Sequence, residues 1–415
     1  MREQLEQNIL DNPHDDALRL IYADWLEENG ENDRAEFVRA QIALEDENLS
    51  TEDRQTLAQR EAELLEKYQR EWLGGLAPFL LDGKDDVRLD LEEQNCEFRF
   101  RRGFFEELHI KTLGYHLAQA MVTNPLMNWV RNLAIDLPSG KWDYSDQQPG
   151  WVSTAFDTVP DEFDVIDILK QSPYLKNVRC LRVGEDMDDA ETDIPCYCYV
   201  RNVVGLVAMM PQLEELHLLC KAYEAADLFA LSLPHLRVLR MYHLGGFFQD
   251  QEQGVGYAYP LDILAKNTSF QNLEVLRFHP HASEEEDEAG LNVSYIPLEQ
   301  VRHLLEPSNL PKLRYLQIRL SDMGNEGCKA IVESGILKRL EILDLRHGEI
   351  TDEGAKILAT CPDFRNLKWF DIQRNSLTEE GINSLQSNGV DVRVGTQLNS
   401  NELGWREYLY EGDSE

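Results

Sequence analysis

Three glycines, Gly327, Gly354 and Gly381, recur at intervals of 27 residues. Each follows the same apolar pattern: Leu313-x-x-Leu316-x-Ile318, Leu340-x-x-Leu343-x-Leu345 and Leu367-x-x-Phe370-x-Ile372. The i, i+3, i+5 spacing is strand-like, and the segment around each glycine opens a helix-like pattern, with Ala355 and Leu358 after one and Ile382 and Leu385 after the next. A unit this short cannot bury its own apolar face. Units of fixed period must therefore stack on one another, which makes the chain a solenoid over much of its length.

The pattern continues upstream less regularly. Matching cores are Phe105-x-x-Leu108-x-Ile110, Val130-x-x-Leu133-x-Ile135, Val178-x-x-Leu181-x-Val183, Leu213-x-x-Leu216-x-Leu218, Leu236-x-x-Leu239-x-Met241 and Leu273-x-x-Leu276-x-Phe278. From Leu108 to Phe370 the fourth positions are 25, 48, 35, 23, 37, 40, 27 and 27 residues apart. The long intervals predict insertions in the return segments, which leave the number of repeats within 136–177 and 242–272 open. The pattern is that of a leucine-rich repeat. The 27-residue units, with Thr351-Asp352-Glu353-Gly354 and Thr378-Glu379-Glu380-Gly381, resemble the ribonuclease-inhibitor type. That resemblance implies a curved parallel sheet with helices on its convex side. The Asn usual after the strand survives as Asn375, but Gly348 and Ser321 stand there in the two preceding units.

The first seventy residues read differently. Asn12-Pro13, followed by Asp15 and Asp16, predicts a helix start, with Leu18, Ile21, Tyr22, Trp25 and Leu26 on one face and Gly30 as its end. Asp33-x-x-Glu36 reads as a capping box for a second helix carrying Phe37, Gln41 and Leu44. Ser50-x-x-Asp53 opens a third, with Leu57, Leu64, Leu65, Tyr68 and Trp72. Cys96 to Phe105 alternates and breaks at Gly103, as a hairpin feeding the first repeat strand would. Val390-x-Val392-x-Val394 reads as a last strand, and the cluster Trp405, Tyr408, Leu409 and Tyr410 as a tail that docks on it.

The expected class is thus α/β, a leucine-rich repeat solenoid with an N-terminal all-α cap. The expected parts are a helical domain over 1–75, a connecting hairpin region over 76–104, the repeats over 105–395 and a tail over 396–415. Trp25, Tyr68 and Trp72 offer cover for the open repeat end. The string Tyr22-Ala23-Asp24-Trp25-Leu26-Glu27-Glu28, with Arg34-Ala35-Glu36-Phe37-Val38-Arg39-Ala40-Gln41, resembles the bacterial repeat-companion domain, a module found ahead of such repeats. The segment Phe98 to Ile110 resembles the stretch that joins that module to its repeats. The resemblance implies architecture, not activity.

A net charge of −36, from 40 Lys and Arg against 76 Asp and Glu, argues against nucleic acid or an anionic membrane as a partner. The start Met1-Arg2-Glu3-Gln4 is no signal peptide, and the apolar run Val203 to Met210 is too short to span a bilayer. Seven cysteines, an odd count, suit a reducing compartment, so a cytoplasmic location is expected. The run Glu284 to Glu288 reads as a solvated insertion.

Catalytic motifs are missing: there is no G-x-x-x-x-G-K-[ST], H-E-x-x-H or G-x-S-x-G. Gly254-Val255-Gly256 is not a phosphate loop, and Cys196-x-Cys198 has neither metal nor redox spacing. Asp186-x-Asp188-Asp189-x-Glu191 lacks the order of a calcium loop, and His279-Pro280-His281 with His243 and His217 has no visible supporting partner. No cofactor, no metal and no catalytic activity are expected.

Strand alternation singles out the face that can bind. If the fourth and sixth positions of each core point inward, the third, fifth and seventh line the concave face. That lining holds six Lys or Arg against five Asp or Glu, far less acidic than the whole chain. Candidate partner-binding residues are Arg182, His217, Arg240, Tyr242, Arg277, Tyr315, Arg319, Arg346 and Trp369. Arg, Tyr and Trp are the types enriched at interface hot spots, although they are also ordinary on exposed strands. Arg240 with Arg277, and Arg319 with Arg346, are expected as exposed neighbours that attract an anion-bearing peptide. The leading expectation is a non-enzymatic module that binds a protein with an acidic or carboxylate-bearing surface. The alternative is a regulator or inhibitor of an enzyme, as the resemblance to leucine-rich GTPase-activating proteins and nuclease inhibitors implies.

Overall fold

The computed structural model describes residues 1–84, 94–141, 163–186, 198, 200, 202–220, 225–242, 260–278, 296–306, 309–319 and 321–398. The run Glu284 to Glu288, Gly254-Val255-Gly256, His279-Pro280-His281, His243, Cys196, Asp188 to Glu191 and the Trp405 to Tyr410 cluster lie outside the described residues. The chain divides into two compact units, Met1–Arg179 and Cys180–Glu415.

The first unit opens with helices α1 (Arg2–Asp11), α2 (Asp16–Glu28), α3 (Asn32–Leu44), α4 (Thr51–Leu73) and the short α5 (Ala77–Leu80). Strands β1 (Cys96–Arg101) and β2 (Phe104–Leu113), helix α6 (Tyr115–Thr123) and strand β3 (Asn132–Pro138) follow. The two-residue pair β4 (Gly140–Lys141) and β5 (Phe163–Asp164) leads to α7 (Val165–Leu169). The expected hairpin forms: β1 pairs antiparallel with β2, which pairs parallel with β3.

Two helix starts differ from expectation. Asn12 ends α1 instead of capping α2, and Asp15 caps α2 by accepting from Ala17 N at 3.0 Å. Asp15 stands next to the first helical residue, where its short side chain reaches the second amide. The Asp33/Glu36 box does not form, because Glu31 precedes α3 and offers no side-chain cap. Asp33 instead accepts from Tyr68 and Lys67, and Glu36 from Arg60. The Ser50 cap forms as expected, with Asp53 N donating to Ser50 Oγ at 3.1 Å. Ile21 is exposed, and the buried face of α2 is Arg19, Tyr22, Ala23 and Leu26.

That face meets the hairpin. Ile9, Tyr22, Ala23, Leu26, Ala35, Val38 and Phe104 form one core, and Trp129 stacks on Phe104 at 4.0 Å. Trp72 packs against Phe37 and Phe100 at 4.7 and 6.0 Å. The two-residue turn needs positive φ at Arg102 (48°) and Gly103 (89°), the geometry that matches strand twist in a hairpin. Gly103 is further required by proximity, since a Cβ there would lie 2.4 Å from Val38 Cγ2. Gln41 clamps the turn, accepting from Gly103 N at 2.7 Å and donating to Phe100 O at 2.9 Å.

Beneath the turn lies a buried charge cluster. Arg19 donates to Glu106 at 2.9 Å and to Pro13 O at 2.7 Å, and the Arg102 and Arg131 guanidiniums each come within 3.6 Å of the same carboxylate. Arg19 and Glu106 expose 0% and 7% of their side chains. The Glu106 carboxylate therefore meets three guanidiniums, of which Arg102 also donates to Asp16 at 3.3 Å. Burial pushes Arg131 down to about 10. Removing the anion leaves uncompensated buried cations, which costs far more than the intact cluster contributes. Glu106→Gln is expected to destabilise this unit by about 3–5 kcal/mol, read as an earlier urea transition in tryptophan fluorescence.

The second unit repeats one plan. Strands β6 (Cys180–Val183), β7 (Glu215–Leu218), β8 (Val238–Met241), β9 (Val275–Phe278), β10 (Tyr315–Ile318), β11 (Ile342–Asp344), β12 (Trp369–Asp371) and β13 (Asp391–Arg393) pair in parallel, each with the next. Between them run helices α8 (Val203–Val207), α9 (Ala225–Ala230), α10 (Leu261–Lys266), α11 (Leu298–Leu305), α12 (Gly324–Ser334), α13 (Asp352–Thr360) and α14 (Glu379–Gln386). The expected last strand is β13. Because β8 pairs directly with β9, the long 242–272 interval inserts no strand between them.

The inward ladder is as the alternation predicts. Leu181, Leu216, Leu239, Leu276, Leu316, Leu343 and Phe370 are register partners in succession, and each is at most 1% exposed. Each such side chain contributes roughly 1.5–3 kcal/mol when fully buried. Phe278 meets Phe229, and Phe370 meets Phe364, between sheet and helices.

Two of the three 27-residue glycines, Gly354 and Gly381, mark where helices of adjacent units touch, whereas Gly327 packs against Met323 of its own unit. Asn325, at the start of α12, accepts from Thr351 N at 3.1 Å and Gly354 N at 3.0 Å, at the start of α13. Asp352 in α13 accepts from Thr378 N at 2.8 Å and Thr378 Oγ1 at 2.6 Å, at the start of α14. Each unit thus caps the helix of the next, satisfying amides that a helix start leaves open. Burial tends to raise the Asp352 pKa, but hydrogen bonds from Thr378 and Gly381 outweigh it and hold the carboxyl below its usual range. A Cβ on Gly354 would lie 2.7 Å from Asn325 Oδ1 and from Ile350 Cγ2, and one on Gly381 2.2 Å from Asp352 Oδ1. An unhindered Gly→Ala change inside a helix stabilises by about 1 kcal/mol. Gly354→Ala is expected to do the reverse, destabilising by about 1–3 kcal/mol through overpacking, as measured by urea denaturation.

Candidate functional site

The open face of the repeat sheet carries the fifth-position residues in one row across the strands. Their order is Arg182, His217, Arg240, Arg277, Gln317, Asp344, Asp371 and Arg393, each a register partner of the next. Arg240 and Arg277 are therefore neighbours, as the repeat spacing predicts. Arg240 is not exposed, however: it is 2% accessible, donates to Asp186 at 2.8 Å, contacts the Tyr242 hydroxyl and lies over the Tyr242 ring at 4.8 Å. Tyr242 is itself buried. Arg240 and Arg277 are thus register neighbours but not an exposed pair, because Asp186 supplies Arg240 with a counter-charge from within the chain and Arg277 is partly buried. Arg182 approaches the same Asp186 at 3.8 Å.

Arg319 and Arg346 also meet internal carboxylates. Arg319 donates through Nε and Nη2 to Asp344 Oδ2 at 2.9 and 2.8 Å, and Arg346 donates to Asp371 Oδ2 at 2.8 Å. Both aspartates are 0% exposed. Each seventh-position arginine reaches the fifth-position aspartate of the following unit, so these charges fasten units together. Burial and the neighbouring Asp344 charge raise the Asp371 pKa against the pull of Arg346. Burial opposes the Arg319 charge, but Asp344 and Asp371 outweigh it and raise that pKa. An exposed cation row at Arg319 and Arg346 is accordingly absent.

Arg277, Tyr315 and Trp369, partly buried, and Arg393, exposed, form a continuous string. The Arg277 guanidinium lies over the Tyr315 ring at 5.4 Å, Tyr315 meets the Trp369 ring edge-on at 6.3 Å, and Arg393 lies over Trp369 at 4.3 Å. Arg277 Nε also donates to Gln317 Oε1 at 3.0 Å. Tyr315 and Trp369 are third-position residues two strands apart, with Ile342 between them. Cation–π and edge-to-face contacts brace these side chains against one another. Arg393 escaped the sequence reading because the lining was followed only to β12; the Val390-x-Val392-x-Val394 alternation was the signal that extends it by one strand.

A second line of charges runs just before the strands. Arg237 pairs with Glu274 at 3.2 Å, and Arg314 and Lys368 both pair with Glu341, at 2.7 and 2.6 Å. The alternation of basic and acidic residues at the second core position was visible in the sequence, but only the parallel register makes it a line.

The loop after β11 holds His347 at φ 56° and 4% exposure. Burial, with the charges of Arg346, Arg374 and Arg319 added, pushes it down to about 3 from 6.5. The folded chain keeps this ring neutral, whereas the unfolded chain protonates it below pH 6.5. Its contribution to stability is therefore complete above pH 6.5 and is lost as pH falls toward 3. Between pH 7 and pH 5 the loss is expected to be about 2 kcal/mol. His347→Asn, which tolerates positive φ, is expected to flatten the pH dependence of urea stability over that interval.

The first unit carries a cleft of about 340 Å³ lined by Arg2, Glu6, Tyr22, Glu31, Arg34, Trp72, Phe104 and Trp129, among others. The Arg34 guanidinium sits 4.3 Å over Trp72 and donates to Gly103 O at 2.5 Å, and burial pushes its pKa down to about 10. Nothing in the periodicity announced this cleft, because its walls come from six separate segments of the chain.

Residues 309–332 and 339–359 match the family model described as Leucine Rich repeat. No curated protein matches the chain significantly. Among solved structures, a Bacteroides fragilis protein is similar at 19% identity over 71% of this chain and 76% of its own, with a TM-score of 0.44. An internalin from Listeria monocytogenes is similar at 11% identity over 69% of this chain and 85% of its own, with a TM-score of 0.30. The matched residues are leucine-rich repeats, and the fold is a mixed α/β repeat stack with an N-terminal helical region. Among the described residues no helix is long and apolar enough to cross a membrane.

Proposed function

We propose that this chain is a non-enzymatic protein-interaction module whose repeat sheet binds a partner through its open face. The observation that carries this reading is the Arg277–Tyr315–Trp369–Arg393 string. Its aromatic rings are half-buried and mutually braced, so binding orders few side chains. Its ends are cationic on a chain of net charge −36, which favours a carboxylate-bearing protein segment over nucleic acid. The site narrows from nine candidates to the string. Arg240, Tyr242, Arg319 and Arg346 support it from within, and Arg182 and His217 lie farther along the row.

We further propose that the 27-residue units are of the ribonuclease-inhibitor type and that the helices over 2–73 are a repeat-companion domain, a reading that rests on the sequence resemblances. We assign to those helices the role of covering the hairpin that begins the sheet, which Trp72 on Phe100 and the buried Arg19–Glu106 contact favour.

A displayed library of random peptides selected on the full chain tests the reading. Selected peptides are expected to be rich in Asp and Glu and to bind more weakly at high salt. Arg277→Glu and Trp369→Ala are each expected to weaken them at least about tenfold, as loss of a hot-spot side chain does. Selected peptides that bind both variants as tightly as the parent would rule out this face.

A further inference from the structure

The first two strands of the second unit bring together three donors of different chemical types. Cys180 and Glu215 are direct register partners on β6 and β7, and His217 follows Glu215 on the same face. Cys180 Sγ lies 3.9 Å from Glu215 Oε2, and His217 Nε2 lies 3.6 Å from that same oxygen. One donor atom from each residue falls within 4.8 Å of the others. A tetrahedral ion with bonds of ~2.0–2.3 Å holds its ligands roughly 3.3–3.8 Å apart. The two separations from Glu215 Oε2 match this spacing to within about 0.1 Å, and the third pair of donors, within 4.8 Å, closes to it by about 1 Å at most, through side-chain rotation.

From this geometry we propose that Cys180, Glu215 and His217 form a zinc site with one coordination position open to solvent. Sulfur, imidazole nitrogen and carboxylate oxygen are the donors that Zn(II) takes, whereas calcium and magnesium take oxygen alone. Thiolate, carboxylate and neutral imidazole together cancel the charge of a divalent ion, so no net charge is added beside Arg182. The Arg182 and Arg240 guanidiniums are answered separately by Asp186. The Glu215 side chain is 48% exposed and that of His217 18%, which leaves a path for the ion and room for a fourth ligand. Burial and the Glu215 charge push the Cys180 thiol up to about 12, so the metal-free site holds a protonated sulfur and zinc uptake releases that proton. The donors are 35 residues apart in the chain, a spacing no short metal motif covers, and for that reason the sequence predicted no metal. The inference does not depend on the proposed protein partner.

The full chain, stripped with chelator, is titrated with Zn(II) against a chromophoric competitor and separately with Co(II). One equivalent of zinc is expected, and the cobalt form should show the visible bands of a tetrahedral site with a thiolate charge-transfer band. Cys180→Ser is expected to abolish the charge-transfer band. His217→Ala and Glu215→Ala, the latter at a half-exposed side chain, are each expected to weaken zinc about tenfold to a hundredfold or more. Cys361→Ser, in a distant unit, is expected to change nothing. Failure to bind zinc at micromolar concentration overturns the proposal. So does a cobalt spectrum without the thiolate band, or zinc affinity that survives both His217→Ala and Glu215→Ala.

Discussion

Burial of one inward side-chain ladder by its neighbours is the interaction on which the repeat unit depends. Leu216 is inaccessible because Leu181 and Leu239 flank it in register and the return segments cover it from behind. No single unit supplies that enclosure. The register therefore has to be kept over every strand, since a slip by one residue would turn the ladder outward and bring charges in. The charged line before the strands, Arg237 with Glu274 and Arg314 and Lys368 with Glu341, is satisfied in the same register.

Polar contacts between consecutive units add direction to that stacking. On the helical side, Asn325 and Asp352 cap the next helix, and Gly354 and Gly381 permit the approach. On the sheet side, Arg319 and Arg346 reach the buried aspartates of the next unit. A buried carboxylate without its arginine would be costly, so the two contacts reinforce one arrangement. The consequence for binding is subtractive. Three arginines that a linear reading offers to a partner, Arg240, Arg319 and Arg346, are already engaged with carboxylates of the chain itself.

The N-terminal unit solves a different problem. The hairpin presents Phe100 and Phe104 on the side that the helices cover, and Gly103 lets the turn press against Val38. Glu106 is then enclosed with three arginines under that contact. The arrangement couples helix docking to the start of the sheet, because neither Arg19 nor Glu106 can be left alone in that interior.

Periodicity alone determined the strands, their inward positions, the hairpin and the last strand. These follow from alternation and fixed return length, which are local properties written at every unit. The helix starts at Asp15 and Glu31 were less legible, because several acidic residues stand near each start and only backbone geometry chooses among them. Exposure was least legible of all. Asp186 lies 54 residues from Arg240, and Asp344 25 from Arg319. Whether a strand arginine faces solvent or a carboxylate is settled by which loop and which neighbouring strand arrive beside it. The meeting of Cys180 with Glu215 and His217 has the same origin. Sequence fixes which side of a strand a residue occupies, and only the parallel register of the folded sheet decides what stands next to it.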